Sequence, residues 1–246
     1  MKTLKDLKVK LFADGADFDS ILKLAANPRI KGFTTNPTLM RKAGITDYEG
    51  FGRKVLGAVD GRPVSLEVFA DDFAAMAAQA RAIAMWGKNV NVKIPVMNTK
   101  GEFAGRIISA LSRDGIALNV TAVMTLEQVR AIADALSVDT PAIVSVFAGR
   151  IADTGVDPIP HMVECKKILA SRPKAELLWA SPRELLNVFQ ADAIGCEIIT
   201  ATPDLLAKLD LVGKDLTEYS RETVQMFYRD AVAAAFDIKA VSEAAE

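Results

Sequence analysis

Eight short apolar runs of the kind that form β-strands recur along this chain of 246 residues, and a longer helical pattern follows each of them. Strands that alternate with helices predict a parallel sheet, because a parallel connection has to cross back over the sheet. A count of eight favours an α/β fold closed into a single (β/α)8 TIM barrel, with an open doubly wound sheet as the alternative. The runs cover residues 8–14, 32–36, 63–69, 89–96, 116–121, 142–147, 176–181 and 196–201.

The stretches between these runs carry the usual signals of helices. Thr125 has the side chain expected of an N-cap, and glycines follow several of the periodic segments. No low-complexity linker or change of composition divides the chain. We therefore predict one domain over 1–246, made of a barrel at about 8–212 and a C-terminal helical segment at about 214–240. Four helices are predicted in the barrel with particular clarity, over 17–27, 71–87, 125–136 and 181–195.

The polar residues of the predicted strands share one parity. In the run 89–96, Asn91 and Lys93 alternate with aliphatic residues, so they face away from the side that meets the helices. This predicts that both point into the barrel, near the end of the strand where barrel active sites are built. Other polar or aromatic residues with the same parity, or at strand ends, are Asp14, Thr34, Asn36, Ser65, Glu67, Asn119, Thr121, Ser145 and Phe147.

Lys93 is the residue of this set that most needs an explanation, because a buried ammonium group is costly unless it is paired or neutralised. One interpretation is a structural ion pair with Glu67 or Asp14. The other is chemical, because desolvation lowers the pKa of an amine and makes a neutral nucleophile available near pH 7. Such an amine forms a Schiff base with a ketose, and a nearby carboxylate then moves the protons.

Charge and composition exclude several other classes of function. The 30 basic and 31 acidic residues give a net charge of −1, which predicts neither a nucleic-acid partner nor a membrane surface. We expect no secretory signal and no membrane span, because no apolar run is long enough for either. Two distant cysteines, Cys165 and Cys196, predict reduced thiols in the cytoplasm. With the single histidine His161, they predict no zinc site.

Six segments of the chain carry recognisable motifs, in the order LFADGAD, GFTTNPTL, NVNVKIPV, ALNVTAVMTLEQ, VSVFAGRIAD and WASPRE. Together they cover about residues 8–205, and in this order they resemble the transaldolase family. It implies a (β/α)8 barrel that uses a lysine Schiff base, requires no cofactor or metal, and acts on sugar phosphates in carbohydrate metabolism.

The resemblance also implies a role for each matched residue. Lys93 matches the lysine that forms the Schiff base, and Asp14 matches the carboxylate that takes the C4-hydroxyl proton. Glu67 and Thr121 match the pair that holds the catalytic water. The matched substrate-binding positions are Thr34, Asn36, Asn119 and Ser145 for the dihydroxyacetone part, and Arg150, Ser181 and Arg183 for the phosphate.

The phosphate assignment also has a physical basis, since two guanidinium groups at a barrel mouth suit a phosphate dianion. Either Arg150 or Arg183 alone is more typical of a solvated surface charge, but the two together with Ser181 at the barrel mouth favour the phosphate site. Two departures from the family pattern concern substrate fit. Gly15 stands where a threonine is usual, and Pro182 stands where many members have phenylalanine.

Three activities remain open at this stage. Phe147 is also predicted to be a substrate-binding residue. Glu67 and Phe147 resemble the residues that transaldolases have at these positions, whereas aldolases tend to carry glutamine and tyrosine there. We therefore predict transfer of dihydroxyacetone between sugar phosphates. A fructose 6-phosphate aldolase and a barrel that binds sugar phosphates without catalysis are the alternatives. A homo-oligomer is also predicted, because compact relatives assemble and residues 223–236 have an apolar face.

Overall fold

Eight parallel strands close into a barrel in sequence order, and the last strand pairs with the first. This computed structural model describes residues 3–238. The closed sheet confirms the predicted (β/α)8 architecture and excludes the open alternative. The strands are β1 Lys10–Asp14, β2 Ile30–Thr34, β3 Val64–Glu67, β4 Val90–Pro95, β5 Leu118–Val123, β6 Ala142–Val146, β7 Ala175–Trp179 and β8 Ile198–Ala201.

Helices fill the connections between the strands. Most begin at an acidic, threonine or asparagine N-cap, and Thr125 forms the predicted cap as one half of a capping box with Gln128. The helices within residues 3–238 are α1 Phe18–Ala25, α2 Pro37–Lys42, α3 Tyr48–Ala58, α4 Phe73–Ala84, α5 Gly105–Arg113, α6 Leu126–Ala135, α7 Ala148–Asp153, α8 Pro158–Leu169, α9 Leu186–Ala193, α10 Pro203–Ala207 and α11 Leu216–Ala233, with a 3₁₀ helix at Lys208–Leu211.

Every strand begins and ends within two residues of its predicted bounds, and two of the differences have a local cause. β2 ends at Thr34 because the Asn36 side chain accepts a hydrogen bond from the Leu39 N–H, which makes Asn36 the N-cap of α2. β5 runs on to Val123 because its register shifts after Val120, and Ala122 takes a left-handed conformation with φ of 60°. Both irregularities lie at the carboxyl ends of strands, where a local bend re-aims the neighbouring side chains.

The aliphatic residues that alternate along the strands are buried, as the sequence predicts. Leu66, Val92 and Val120, for example, have no exposed surface. A separate apolar cluster contains residues of the opposite parity, among them Phe12, Leu178 and Ile198. The polar residues with the same parity as this cluster lie beyond it, nearer the carboxyl ends of the strands. The sheet therefore carries an apolar layer below a polar one.

The Phe12 ring leaves room for only a hydrogen atom at position 32. A Cβ on Gly32 would lie 2.5 Å from the tip of that ring, so we expect Gly32→Ala to destabilise the barrel by about 1–3 kcal/mol through overpacking. Gly57→Ala is the matched control, because the space beside that helical glycine is open and alanine favours the helix. Urea unfolding of both variants measures the difference, and equal stability of Gly32→Ala and wild type would contradict this packing.

Contacts divide the described chain into two compact units, one that contains the barrel up to Leu209 and one that begins at Asp210. The second unit contains α11, which confirms the predicted C-terminal helix. Residues 239–240 of the predicted segment lie outside the described residues. The assignment of the whole chain to one domain stays a prediction. Among residues 3–238, no helix combines the length and apolarity that crossing a membrane requires.

Candidate active site

A cavity of about 420 Å³ opens at the carboxyl ends of the strands. Of the twelve site residues predicted from the sequence, ten line this cavity. They are Asp14, Thr34, Asn36, Glu67, Lys93, Thr121, Ser145, Phe147, Arg150 and Ser181. Asn119 is buried next to the cavity wall and contacts one of the lining residues, whereas Arg183 lies outside the lining. The strand parity therefore gathers most of the predicted residues into one place.

Lys93 lies at the centre of this arrangement and is only 7% exposed. Its Nζ donates a hydrogen bond to the Thr35 carbonyl oxygen at 3.0 Å and lies 3.2 Å from Glu67 Oε2. The neighbouring β4 residues that face the helices, Val92 and Ile94, are fully buried. The ion pair with Glu67 that the sequence suggested is thus present. Because Lys93 also lines the cavity, its amine is reachable by a small molecule.

Asp14 is the last residue of β1, and it lines the same cavity. Burial raises the pKa of its carboxyl group, while the charge of Lys93 and a hydrogen bond from Thr34 oppose that rise in part. The Thr34 Oγ1 donates to Asp14 Oδ1 at 2.8 Å. A carboxyl group whose pKa is raised accepts a proton more readily than an exposed aspartate. Asp14 is therefore well suited to act as a general base and acid.

A chain of three buried side chains supports the wall formed by β5 and β6. Ser145 donates its hydroxyl proton to Asn119 Oδ1 at 2.7 Å, and Asn119 Nδ2 donates to Ser65 Oγ at 2.9 Å. Because the single proton of Ser145 is used in this way, its oxygen is left to accept a hydrogen bond from a bound molecule. Asn119 thus acts on the cavity through Ser145.

Thr121 has a buried hydroxyl oxygen with no hydrogen-bond partner among residues 3–238. It directly precedes Ala122, the left-handed residue of β5, and both line the cavity. A buried hydroxyl costs free energy when it is left unpaired, so this group is suited to hold a ligand or a water molecule.

The end of β3 is held by a residue of α3. The hydroxyl of Tyr48 donates a hydrogen bond to the backbone oxygen of Glu67 at 2.9 Å.

At the cavity mouth, the first turn of α7 is in close contact with the loop that follows β7. A Cβ on Gly149 would lie 1.5 Å from the Ser181 carbonyl oxygen, so only glycine allows this approach. Ser181 itself has a φ of 56°, which is uncommon for serine. The Arg150 guanidinium lies 5.5 Å from the Phe147 ring centre. Arg150 and Ser181 both line the cavity, so a cationic side chain and a hydroxyl group are available there.

Arg183 differs from the expectation of two guanidinium groups in one site. Its Nε donates to Asp153 Oδ1 at 2.8 Å, and its Nη2 contacts Asp153 Oδ2. The hydrogen bond from Arg183 lowers the pKa of Asp153. The structure therefore brings only Arg150 of the two arginines into the cavity lining, and the Nη1 edge of Arg183 is not engaged by Asp153.

Thr200 lines the cavity but was not among the residues predicted from the sequence. Its Oγ1 lies 2.5 Å from Thr34 Oγ1. The sequence did contain a signal, because Thr200 is a polar residue one position before the end of β8, and it has the parity of Ile198. Within residues 3–238, no cluster of three or more His, Cys, Asp or Glu side chains is placed to hold a metal ion.

Comparison with known proteins finds a family and named relatives that match this chain. The family described as Transaldolase/Fructose-6-phosphate aldolase matches residues 11–245. A protein named "Probable transaldolase" from Dehalococcoides mccartyi is 34% identical over 202 residues, covering 82% of this chain and 90% of that protein. Another of the same name from a Thermoanaerobacter species is 33% identical over 224 residues, covering 91% and 98%.

Solved structures that resemble this chain support the fold alone. A putative lyase/mutase from Burkholderia cenocepacia aligns with a TM-score of 0.57 at 14% identity, over 94% of this chain and 85% of that one. At such low identity the similarity extends to the barrel and not to its chemistry.

Proposed function

This chain belongs to the transaldolase/fructose-6-phosphate aldolase family, and on that premise we propose that it is a transaldolase whose nucleophile is Lys93. The reaction is a reversible transfer of a dihydroxyacetone unit from a ketose phosphate, such as fructose 6-phosphate or sedoheptulose 7-phosphate, to an aldose phosphate. The observation that carries the proposal is the position of Lys93, a buried amine that opens onto the cavity beside Glu67.

The first step is attack of the Lys93 amine on the C2 carbonyl of the ketose. The resulting carbinolamine loses its hydroxyl group as water and becomes a protonated imine. Protons move through a water molecule held by Glu67 and by the unpartnered hydroxyl of Thr121. Glu67 lies 3.2 Å from the amine, which is within reach of such an exchange.

The second step breaks the bond between C3 and C4. Asp14 takes the proton of the C4 hydroxyl, and the O–H electron pair becomes the second bond of the aldehyde carbonyl. The C3–C4 electron pair forms a C2–C3 double bond while the imine electrons move to nitrogen, which gives an enamine, and the aldehyde product leaves. An acceptor aldose then reverses each of these changes, and Asp14 returns its proton to the new hydroxyl group. The raised pKa of Asp14 favours both directions, because its acid and base forms are closer in free energy.

Substrate hydroxyl groups are bound by the polar wall of the cavity. Ser145 accepts from the dihydroxyacetone part, held in place by Asn119, while Asn36 and Thr34 contact the same part from β2 and its end. Phe147 covers the cavity with an apolar ring. Because phenylalanine has no hydroxyl group to position a proton donor, the enamine is kept for the acceptor and not released as dihydroxyacetone.

The phosphate group of the substrate is bound at the mouth, by Arg150 and Ser181 directly. Arg183 adds its Nη1 edge, which Asp153 does not engage, while Asp153 holds the opposite edge of the guanidinium. An arginine held in this way is oriented before the phosphate arrives, which lowers the entropy lost on binding.

Arg150→Ala and Arg183→Ala are each expected to raise KM for phosphorylated acceptors by about 10- to 100-fold, the effect of losing one charge-assisted contact. KM for unphosphorylated aldehydes should change little, because no phosphate contact is lost. Arg53→Ala is the matched control, since that exposed arginine of α3 pairs with Glu49 away from the cavity lining. Steady-state kinetics with both kinds of acceptor measure the effect, and equal changes for the two would remove the arginine from the phosphate site.

Release of free dihydroxyacetone distinguishes the transferase from the aldolase. With fructose 6-phosphate alone, we expect the enzyme to form its enamine and release little dihydroxyacetone, and to turn over rapidly once erythrose 4-phosphate is added. Rapid release without an acceptor would identify a fructose 6-phosphate aldolase instead. A sugar-phosphate-binding barrel without catalysis would show neither reaction.

We also propose that the protein acts in the cytoplasm as a homo-oligomer. Cys165 and Cys196 are both buried free thiols, which suits a reducing compartment. Within α11, large apolar side chains such as Val224, Phe227 and Tyr228 are exposed, and such surfaces are typical of contacts between proteins.

A further inference from the structure

We propose that Thr200 is a positioning residue that fixes the direction of the Thr34 hydroxyl toward Asp14. The proposal rests on the proposed function, in which Asp14 carries the proton of the substrate hydroxyl group. Thr200 touches no reacting atom in this proposal and acts only through Thr34.

The direction of each hydrogen bond follows from the number of protons available. Thr34 Oγ1 contacts both Asp14 Oδ1, at 2.8 Å, and Thr200 Oγ1, at 2.5 Å, yet a hydroxyl group has a single proton. An ionised carboxylate only accepts, so the proton of Thr34 belongs to the bond with Asp14. The contact with Thr200 must then be donated by Thr200. The three groups form one ordered chain from Thr200 through Thr34 to Asp14.

Burial makes this chain consequential. Thr34 is 2% exposed and Thr200 is 6% exposed, so little water reaches their hydroxyl groups. In such surroundings each hydrogen bond polarises the next, and a hydroxyl that accepts a bond becomes a better donor. Donation from Thr200 therefore strengthens the bond that Thr34 makes to the Asp14 carboxylate. Without it, the carboxylate is less stable and Asp14 holds its proton more tightly.

The same chain also serves the protonated form of Asp14. After Asp14 has taken the substrate proton, its new O–H can donate to Thr34, and Thr34 can then donate to Thr200. The bond to the ionised form is the stronger one, because charge-assisted hydrogen bonds exceed neutral ones. Loss of the Thr200 hydroxyl therefore costs the carboxylate more than the acid, and the pKa of Asp14 should rise further.

Other charged groups lie around Asp14 and must stay constant in the test. The active-site cavity is also lined by Glu67 of β3, Lys93 of β4 and Arg150 of α7. A second cavity that Asp14 also lines contains Asp17, Lys42 and Asp204. Removal of an uncharged hydroxyl from Thr200 changes none of these charges, so a shift of the Asp14 titration reports on the hydrogen-bond chain.

The test compares Thr200→Val, which keeps the shape and removes the hydroxyl, with Thr200→Ser, which keeps the hydroxyl. The ¹³Cγ signal of Asp14, assigned by its loss in Asp14→Asn, is titrated in each protein. We expect Thr200→Val to raise the Asp14 pKa by about 0.3–0.7 of a unit, and Thr200→Ser to stay near wild type. The acid limb of the kcat/KM profile should move in the same direction, with kcat reduced about two- to fivefold.

Thr140→Val is the matched control. Thr140 is also buried and donates a hydrogen bond, to the Ser112 carbonyl oxygen, and neither residue lines the active-site cavity. Its loss should lower stability without moving the Asp14 titration. A second test uses Thr34→Val, in which Thr200 has no route to Asp14. In that background, Thr200→Val should cause no further shift.

An unchanged Asp14 titration in folded Thr200→Val would overturn the proposal. So would equal shifts in the valine and serine variants, which would indicate a role of shape. If Thr200→Val does not fold, Thr200→Ala provides the same comparison. The titration needs no turnover, so it decides this inference even if wild type fails to form a Schiff base, a result that would refute the proposed function separately.

Discussion

Lys93→Arg is expected to reduce transaldolase activity by about four orders of magnitude or more, because the step that forms the covalent intermediate is lost. Arginine keeps the positive charge and much of the length of lysine. Its guanidinium group remains protonated at every pH at which the protein is stable, so it cannot attack a carbonyl. The ion pair with Glu67 can persist in this variant, which separates the chemical role of Lys93 from a structural one.

Measurement of dihydroxyacetone transfer from fructose 6-phosphate to erythrose 4-phosphate checks this prediction. Lys88→Arg is the matched control, since Lys88 is exposed just before β4 and should tolerate the same change. The thermal unfolding of both variants should remain close to wild type. Substantial turnover in folded Lys93→Arg would leave Lys93 as half of a structural ion pair.

Asp14→Asn is expected to reduce kcat by about 10²- to 10⁴-fold, the usual contribution of a general acid–base group. Asparagine has the same shape and can accept the hydrogen bond of Thr34 through its carbonyl oxygen. It cannot take the C4-hydroxyl proton at neutral pH, so cleavage of the C3–C4 bond should fail after the imine has formed. The variant should therefore accumulate a Schiff base with fructose 6-phosphate while turning over slowly.

Trapping of this intermediate with borohydride, together with the steady-state rate, tests the role of Asp14. Asp47→Asn is the matched control, because Asp47 is the exposed N-cap of α3, lines neither cavity beside Asp14, and asparagine caps a helix as well as aspartate. A variant at Asp14 with normal kcat would remove it from the proton transfer. Loss of Schiff-base formation along with turnover would place its role earlier in the reaction.

Periodicity predicted the fold because the barrel imposes it on every strand. The parity that placed Lys93 inside the barrel also placed Glu67, Thr121 and Ser145 there, and the cavity contains all four. A closed parallel sheet with helices outside it leaves only one interior for these residues. One buried amine in an aliphatic strand was therefore enough to locate the site.

Contacts between distant segments could not be predicted in the same way. Arg183 pairs with Asp153 where α7 approaches the loop at Ser181 through Gly149, and strand periodicity carries no information about this approach. The left-handed conformation of Ala122 is equally local, since neither glycine nor asparagine marks that position.

Hydrogen-bond chains are a second feature that single residues do not indicate. Thr200 has the parity of the other site residues, yet its relation to Thr34 appears only when β8 closes against β1 and places both beside Asp14. A threonine near the end of a strand is otherwise a common structural residue. Its proposed role could only be inferred from the two distances measured at Thr34.

Borohydride reduction of the wild-type protein in the presence of fructose 6-phosphate tests the central claim most directly. Reduction converts the imine into a stable amine, and the position of the added mass is read from the peptide that contains residue 93. We expect one adduct on Lys93 and none on Lys93→Arg. An adduct on a different lysine, or the absence of any adduct from active wild-type protein, would contradict the account.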